Sequence, residues 1–238
     1  MNRYPGGKGL SFRRIINLLP PHETFIETHL GAGAVLRNKR PSGRDIGVEI
    51  DGAVVARWQA AFGDRYEVRQ DCAHRFLSEY RFTGNELVYC DPPYLLSTRR
   101  GGRLYRHEYE LQDHAALLDI LTSLPCRILL SGYPNDLYDD RLGGWNTSTF
   151  RAKTQAGTAT EKLWFNYEPP LSLHDTSYIG DTFREREQVK RRLGTLKRKI
   201  VGLHDRERHA LLQWAIAAFD PPICTLSDPS PASAQAFE

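Results

Sequence analysis

The residues best suited to chemistry form a short turn, Asp91-Pro92-Pro93-Tyr94, directly after the apolar segment Glu86–Cys90. That segment predicts a buried strand, which the two prolines end, and open α/β sheets bind ligands at this end of their strands. The Asp91 carboxylate and the carbonyl of Asp91 or Pro92 can accept both hydrogens of an amino group on a flat ring, and Tyr94 can stack on that ring. The turn therefore indicates a site for an exocyclic amine, with a purely structural Pro-Pro turn as the alternative.

A second pattern, near the N-terminus, is typical of a site for an adenosine-bearing cofactor. A predicted strand over residues 24–28 leads into a turn with Gly31 and Gly33, a helix, and a second strand that ends at Glu49. In such a βαβ unit the terminal acid accepts hydrogen bonds from ribose hydroxyls. Leu36 stands where a third glycine would favour a dinucleotide, so the pattern fits a cofactor without a pyrophosphate better.

Two further segments hold candidate cofactor ligands. Asp71 follows a third predicted strand and can accept a hydrogen bond from an adenine amino group; an N-cap of the next helix is the alternative role, and the two roles are compatible. The loop over residues 3–9 carries Tyr4 and Lys8 among three glycines, which suits close approach to a ligand. It does not have the spacing of a Walker A loop, and a solvated loop is the alternative.

Basic residues are concentrated in two places. The first surrounds Gly101-Gly102, a pair typical of a hairpin, and predicts contact with nucleic acid through four arginines: Arg99, Arg100, Arg103 and Arg106. The second is a predicted helical hairpin over residues 183–219 that breaks near residues 202–205. Its basic face either contacts phosphates or is simply solvated.

The remaining composition limits the class of protein. Strands alternate with helices, which predicts an α/β fold with a mostly parallel sheet over residues 1–180. We expect the helical hairpin, residues 181–220, to pack on this domain and residues 221–238 to form a disordered tail. No long apolar stretch and no secretory signal is visible, and the four cysteines form no C-x-x-C pair. These features favour a reducing cytoplasm and argue against a zinc site.

The order of the three motifs resembles the Dam-like class of adenine-specific DNA methyltransferases, in particular the compact forms of phages and prophages. The resemblance covers most of residues 3–220. It implies a Rossmann-like class I methyltransferase fold and S-adenosylmethionine as the cofactor. Carried over by position, it implies these cofactor-binding residues: Tyr4, Lys8, Gly31, Gly33, Glu49, Asp71 and Asp91.

The resemblance also implies the reaction, which is direct methyl transfer to the N6 amine of a flipped-out adenine in double-stranded DNA, without a metal. Only 22 positions separate Glu49 from Asp71, so the helical target-recognition insertion of larger members is absent. We expect residues 99–106 or 145–160 to replace it. Transfer to a cytosine amine, an RNA base or a protein amide, a nicotinamide dehydrogenase and a catalytically silent DNA-binding module are the alternatives. The partners would be duplex DNA and no membrane, and the enzyme would act as a monomer or a homodimer, with or without a restriction partner.

Overall fold

A computed structural model describes residues 8–219, except residues 10, 100–101 and 155–156. Tyr4, Arg100 and the predicted tail from residue 221 lie outside the described residues. The chain divides into two compact units, one that ends at Asp181 and one that begins at Thr182.

The first unit contains a seven-stranded sheet with the strand order β3-β2-β1-β4-β5-β7-β6. The strands are β1 (Thr24–Glu27), β2 (Arg44–Glu49), β3 (Glu67–Gln70), β4 (Glu86–Cys90), β5 (Arg127–Gly132), β6 (Asn146–Thr154) and β7 (Gly157–Phe165). The four pairs formed among β1 to β5 are parallel, whereas β7 is antiparallel to β5 and β6 is antiparallel to β7. The predicted α/β fold with a mostly parallel, Rossmann-like sheet is confirmed.

Six helices belong to this unit in the part of the chain that the structure describes. They are α1 (Phe12–Ile16), α2 (Ala34–Asn38), α3 (Gly52–Phe62), α4 (Ala73–Glu79), α5 (Leu111–Ser123) and α6 (Asp136–Arg141). Two apolar clusters fill the sheet's two sides, and Leu87 and Val88 of β4 belong to opposite clusters. Every residue of β4 is buried, because a central parallel strand is covered on both faces.

This topology determines where the site lies. The strand order reverses between β1 and β4, and ligands of open α/β sheets bind at such a switch point. The carboxyl ends of the parallel strands meet at one edge, which brings Glu27, Glu49, Asp71 and Asp91 to the same side of the sheet. β6 and β7 form a hairpin that extends past this edge, because β7 pairs with β5 only from Lys162 to Phe165.

The second unit consists of two helices, α7 (Phe183–Val201) and α8 (Asp205–Phe219). The Thr182 hydroxyl accepts a hydrogen bond from the Glu185 amide, and the Glu185 side chain accepts one from the Thr182 amide, so a capping box starts α7. The predicted break near residues 202–205 is confirmed. Among the described helices none is both long and apolar enough to cross a membrane.

Candidate functional site

The Asp91 side chain lies at the carboxyl end of β4 and is anchored through one of its two oxygens. Oδ1 accepts a hydrogen bond from the Ser131 hydroxyl at 2.7 Å and lies 2.6 Å from the Lys8 ammonium. Ser131 is on the neighbouring strand β5 and is completely buried. Oδ2 receives no hydrogen bond from any described residue. Among the described residues, donors therefore fix one carboxylate oxygen and leave the other unoccupied.

Lys8 links the N-terminal loop to this turn. Its ammonium contacts Asp91 and the Tyr94 hydroxyl, and it lies 3.6 Å from the Glu161 carboxylate on β7. Burial alone would lower the pKa of Lys8, but the negative charges of Asp91 and Glu161 raise that pKa well above its usual value. The ammonium therefore stays charged at neutral pH. The sequence suggested a ligand contact for Lys8 and did not predict these protein partners.

Tyr94 is half-buried beside the turn. Its ring makes an edge contact with Tyr133, with 4.6 Å between the ring centroids, and the Lys8 ammonium lies 4.6 Å from the Tyr94 centroid. Burial raises the pKa of Tyr94 well above its usual value, so its hydroxyl is neutral. Pro92 is buried, whereas Pro93 lines the adjoining cavity. The stacking of a base on Tyr94 stays a prediction.

The predicted glycine turn adopts a conformation that other residues rarely reach. Gly31 and Gly33 have φ angles of 46° and 56°, in the left-handed region. A Cβ atom on Gly33 would lie 2.2 Å from the Trp58 ring, whose indole nitrogen donates a hydrogen bond to the Gly31 carbonyl at 2.9 Å. The sequence analysis missed Trp58, which packs behind the turn and fixes its shape.

Glu49 is buried at the end of β2 and holds this turn from the other side. One carboxylate oxygen accepts a hydrogen bond from the Gly31 amide at 2.8 Å, and the other accepts one from the Asp51 amide at 2.9 Å. A carboxylate has about four acceptor positions, so Glu49 can still accept hydrogen bonds from a ligand. Glu49 also lines the cavity, as its predicted role requires.

Asp71 follows β3 and lines the same cavity. Its Oδ1 accepts hydrogen bonds from the Cys72 amide at 2.6 Å and from the Arg75 guanidinium at 2.7 Å. The alternative role of Asp71 as the N-cap of α4 is wrong, because Cys72 occupies the N-cap position. The contact with an adenine amino group stays a prediction.

The cavity at this edge of the sheet has a volume of about 860 Å³, which includes space open to solvent. Among the described residues, five carboxyl side chains, one lysine and one arginine line the cavity. The carboxylates are Glu27, Glu49, Asp51, Asp71 and Asp91, and the cations are Lys8 and Arg106. The excess of carboxylates over cations in the lining favours a positively charged ligand.

Glu27 is a cavity residue that the sequence analysis missed. It ends β1 as Glu49 ends β2, which is the signal that would have identified it. Its Oε2 accepts a hydrogen bond from the Leu36 amide at 2.8 Å, and only 3% of the residue is exposed. Burial raises the pKa of Glu27 to about 8, although the Leu36 hydrogen bond opposes the shift.

The basic segment around residue 100 has a different structure from the predicted one. Its described residues form no strand, so the predicted hairpin is wrong for them. Arg99 forms a two-pronged ion pair with Glu108, at 2.9 and 2.7 Å, and its side chain is only 9% exposed. Glu108 also accepts hydrogen bonds from the Leu104 and Tyr105 amides, at 2.6 and 2.8 Å. In this arrangement Arg99 organises the loop, and its contact with nucleic acid stays a prediction.

The other two described arginines of this segment are exposed. Arg103 pairs with Glu110 at 2.5 Å, and Arg106 lies 3.7 Å from Asp51 at the cavity rim. Exposed ion pairs of this kind contribute little to stability, so both side chains are available to a charged partner. Their contact with nucleic acid stays a prediction.

A histidine and tyrosine network closes one side of the cavity. The Tyr109 hydroxyl lies 2.9 Å from His29 Nε2 and 3.3 Å from His74 Nδ1. Burial lowers the pKa of His29 to about 3, which keeps this ring neutral. Within the described ranges no group of three or more His, Cys, Asp or Glu side chains is arranged to hold a metal ion.

No protein-family model matches the chain, and no curated protein is significantly similar to it. Solved structures do match it. An rRNA methylase from Streptococcus thermophilus is 14% identical with a TM-score of 0.47, and the match covers 70% of this chain and 98% of that one. A putative RNA methyltransferase from Pyrococcus horikoshii is 13% identical with a TM-score of 0.48, over 69% of this chain and 87% of that one.

A magnesium protoporphyrin IX methyltransferase from Synechocystis PCC 6803, with bound S-adenosylmethionine, is 16% identical with a TM-score of 0.43. This match covers 67% of the present chain and 76% of the other. Because all three TM-scores lie below 0.5, the substrates and ligands of these proteins are not transferred to this chain.

Proposed function

We propose that this protein is an S-adenosylmethionine-dependent methyltransferase that acts on the N6 amine of adenine in double-stranded DNA. The observation that carries the proposal is the arrangement of Asp91. Its Oδ1 is held by Ser131 and Lys8, and its Oδ2 has no donor among the described residues, at the edge of the cavity that Glu49 and Asp71 also line. This is the arrangement that recognition of an amine on a planar ring requires.

The residues around the cavity fit this cofactor. When bound, S-adenosylmethionine supplies a methyl group on a positively charged sulfur, and it also carries an ammonium group. The acidic side chains Glu49, Asp51, Asp71 and Asp91 outnumber Lys8 and Arg106, which favours such a ligand and disfavours the pyrophosphate of a nicotinamide dinucleotide. Glu27 adds little negative charge at neutral pH, because its pKa is about 8. Glu49 would accept from the ribose hydroxyls, and Asp71 would face the adenine.

Asp91 would prepare the substrate amine for reaction. The lone pair of an aromatic amine is delocalised into the ring, so the amine is a weak nucleophile. Hydrogen bonds from the amine to Asp91 Oδ2 and to the carbonyl of Asp91 or Pro92 would favour a tetrahedral nitrogen with a localised lone pair. The nitrogen loses one proton on methylation, and Oδ2 would be the nearest carboxylate oxygen. Positioning and electrostatics would supply most of the rate enhancement.

The charge of the second unit supports a nucleic-acid substrate. α7 carries eight basic and two acidic side chains, a net charge of +6, whereas the whole chain has a net charge of +3. The rest of the chain is therefore net negative, and the positive charge is concentrated where it can bind phosphates. The Dam-like resemblance favours adenine in DNA. An adenine inside a duplex would have to leave the base stack to reach Asp91.

The test is the variant Asp91→Asn, which keeps the size of the side chain and removes its charge. We expect it to transfer the methyl group about 10²–10³-fold more slowly, measured in a single turnover with S-adenosylmethionine at saturation. The control is Asp64→Asn, at an exposed position away from the cavity lining. A near-normal rate for Asp91→Asn would refute the assigned role.

A further inference from the structure

Glu161 is a buried carboxylate that the proposed reaction has not used. It lies on β7, where the β6–β7 hairpin passes the carboxyl edge of the sheet, and it is only 7% exposed. Its Oε2 has no hydrogen-bond partner among the described residues, and the nearest cation there is the Lys8 ammonium at 3.6 Å. A buried carboxylate oxygen without a hydrogen-bond partner is destabilising unless a nearby charge compensates for it. Lys8 supplies that charge.

The Lys8 ammonium therefore lies between two carboxylates, at 2.6 Å from Asp91 and 3.6 Å from Glu161. Asp91 and Glu161 come from different strands, β4 and β7, which are separated in the sheet by β5. If Lys8 and Asp91 were the only charged groups there, their charges would cancel, and Asp91 would be a weaker hydrogen-bond acceptor for an amine. When Glu161 is ionised, the three groups together keep one negative charge. Burial raises the pKa of Glu161, whereas the charge of Lys8 acts in the opposite direction and favours the ionised form.

We propose that Glu161 is a positioning residue that acts through Lys8 on Asp91. By sharing the ammonium, it holds Lys8 against Asp91 Oδ1 and leaves Oδ2 directed to the substrate amine with its accepting strength preserved. The Tyr94 hydroxyl, which also contacts Lys8, completes the set of groups that fix the ammonium. This inference rests on the proposed function, because it assigns Glu161 a part in the same reaction.

A double-mutant cycle tests whether Glu161 acts through Lys8. The variants are Glu161→Gln, Lys8→Met and the two together, and the readouts are the single-turnover transfer rate and the affinity for S-adenosylmethionine. We expect Glu161→Gln to lower the rate by roughly tenfold with cofactor affinity unchanged within about twofold. In the Lys8→Met background, Glu161→Gln should have no further effect on the rate, because its route of action has been removed.

A matched control separates this role from the general loss of a buried ion pair. Lys39 and Asp45 form a similar pair, 2.5 Å apart and largely buried, away from the cavity lining. Asp45→Asn should lower the melting temperature and leave the transfer rate of the folded protein unchanged. If Glu161→Gln behaves like Asp45→Asn, or if its effect adds fully to that of Lys8→Met, the inference is wrong.

A readout without catalysis distinguishes failure of the inference from failure of the proposed function. Competitive labelling with an amine-reactive reagent reports the reactivity of Lys8 in the intact protein. We expect Lys8 to react slowly in the wild type and several-fold faster in Glu161→Gln, because the ammonium loses a stabilising charge. Unchanged labelling would overturn the inference. Faster labelling together with a wild-type protein that methylates no substrate would instead retain the Glu161–Lys8 link and refute the proposed function.

Discussion

Glu27 provides a quantitative test of the electrostatics of the cavity. Burial raises the pKa of Glu27 from an ordinary value of 4.5 to about 8. Between these two pH values, the folded protein therefore retains a proton on Glu27 that the unfolded chain has released. Raising the pH through this window therefore favours unfolding. Each pH unit in which the folded state holds one extra proton changes the free energy of unfolding by about 1.4 kcal/mol.

The isosteric variant Glu27→Gln isolates this contribution. It keeps an acceptor for the Leu36 amide and cannot titrate. Between about pH 5.5 and about pH 7.5, we expect the wild type to lose about 2.5 kcal/mol of stability relative to Glu27→Gln. Buried neutral histidines such as His29 contribute in the opposite direction, because their stabilising effect is lost as the pH falls below the pKa of histidine in the unfolded chain. This contribution is the same in both proteins and cancels when their stabilities are subtracted.

Urea unfolding at a series of pH values measures this difference, with Glu23→Gln, at an exposed position on the same segment, as the control. The control should follow the wild type at every pH. Parallel stability profiles for the wild type and Glu27→Gln would show that Glu27 titrates at its ordinary pKa. That result would refute the claim that burial raises the pKa of Glu27.

Two further predictions concern the fold and the charged surface. Gly33→Ala should destabilise the protein by about 2–5 kcal/mol in urea unfolding, because the turn is left-handed and Trp58 leaves no room for a Cβ atom. Gly194→Ala in α7, where a Cβ atom has open space, should not destabilise it. A triple variant replaces by glutamine three arginines spaced seven apart on α7: Arg184, Arg191 and Arg198. It should bind duplex DNA more weakly at low salt, and the slope of log affinity against log salt concentration should become shallower by roughly 3. An unchanged slope would exclude these arginines from the phosphate contact.

The parts of the site that depend on local sequence were predictable. A strand that ends in Asp91 and two prolines, and a glycine turn between two strands, have short-range signatures, and the structure places both at the switch point of the sheet. The bounds of β4 and the break between α7 and α8 also follow from the pattern of apolar residues and from the glycines and prolines that end strands and helices.

The parts that depend on distant partners were not predictable. Nothing local indicates that Ser131 and Lys8 meet at one oxygen of Asp91, 40 and 83 positions away along the chain. Arg99 resembles a phosphate contact in the sequence, and nothing local indicates its largely buried pairing with Glu108. Strand β6 has mainly polar residues and lies at the edge of the sheet, so it lacks the apolar pattern of a buried strand.

The most direct test of the central claim is transfer of a labelled methyl group from S-adenosylmethionine to duplex DNA of mixed sequence, followed by digestion and identification of the labelled nucleoside. RNA of the same sequence and a protein mixture serve as parallel substrates. We predict label in N6-methyladenine from DNA, accumulating about 10²–10³-fold more slowly with Asp91→Asn. Label in cytosine, in RNA or in protein would contradict the proposed substrate, and a protein that does not bind the cofactor at all would contradict the account of the cavity.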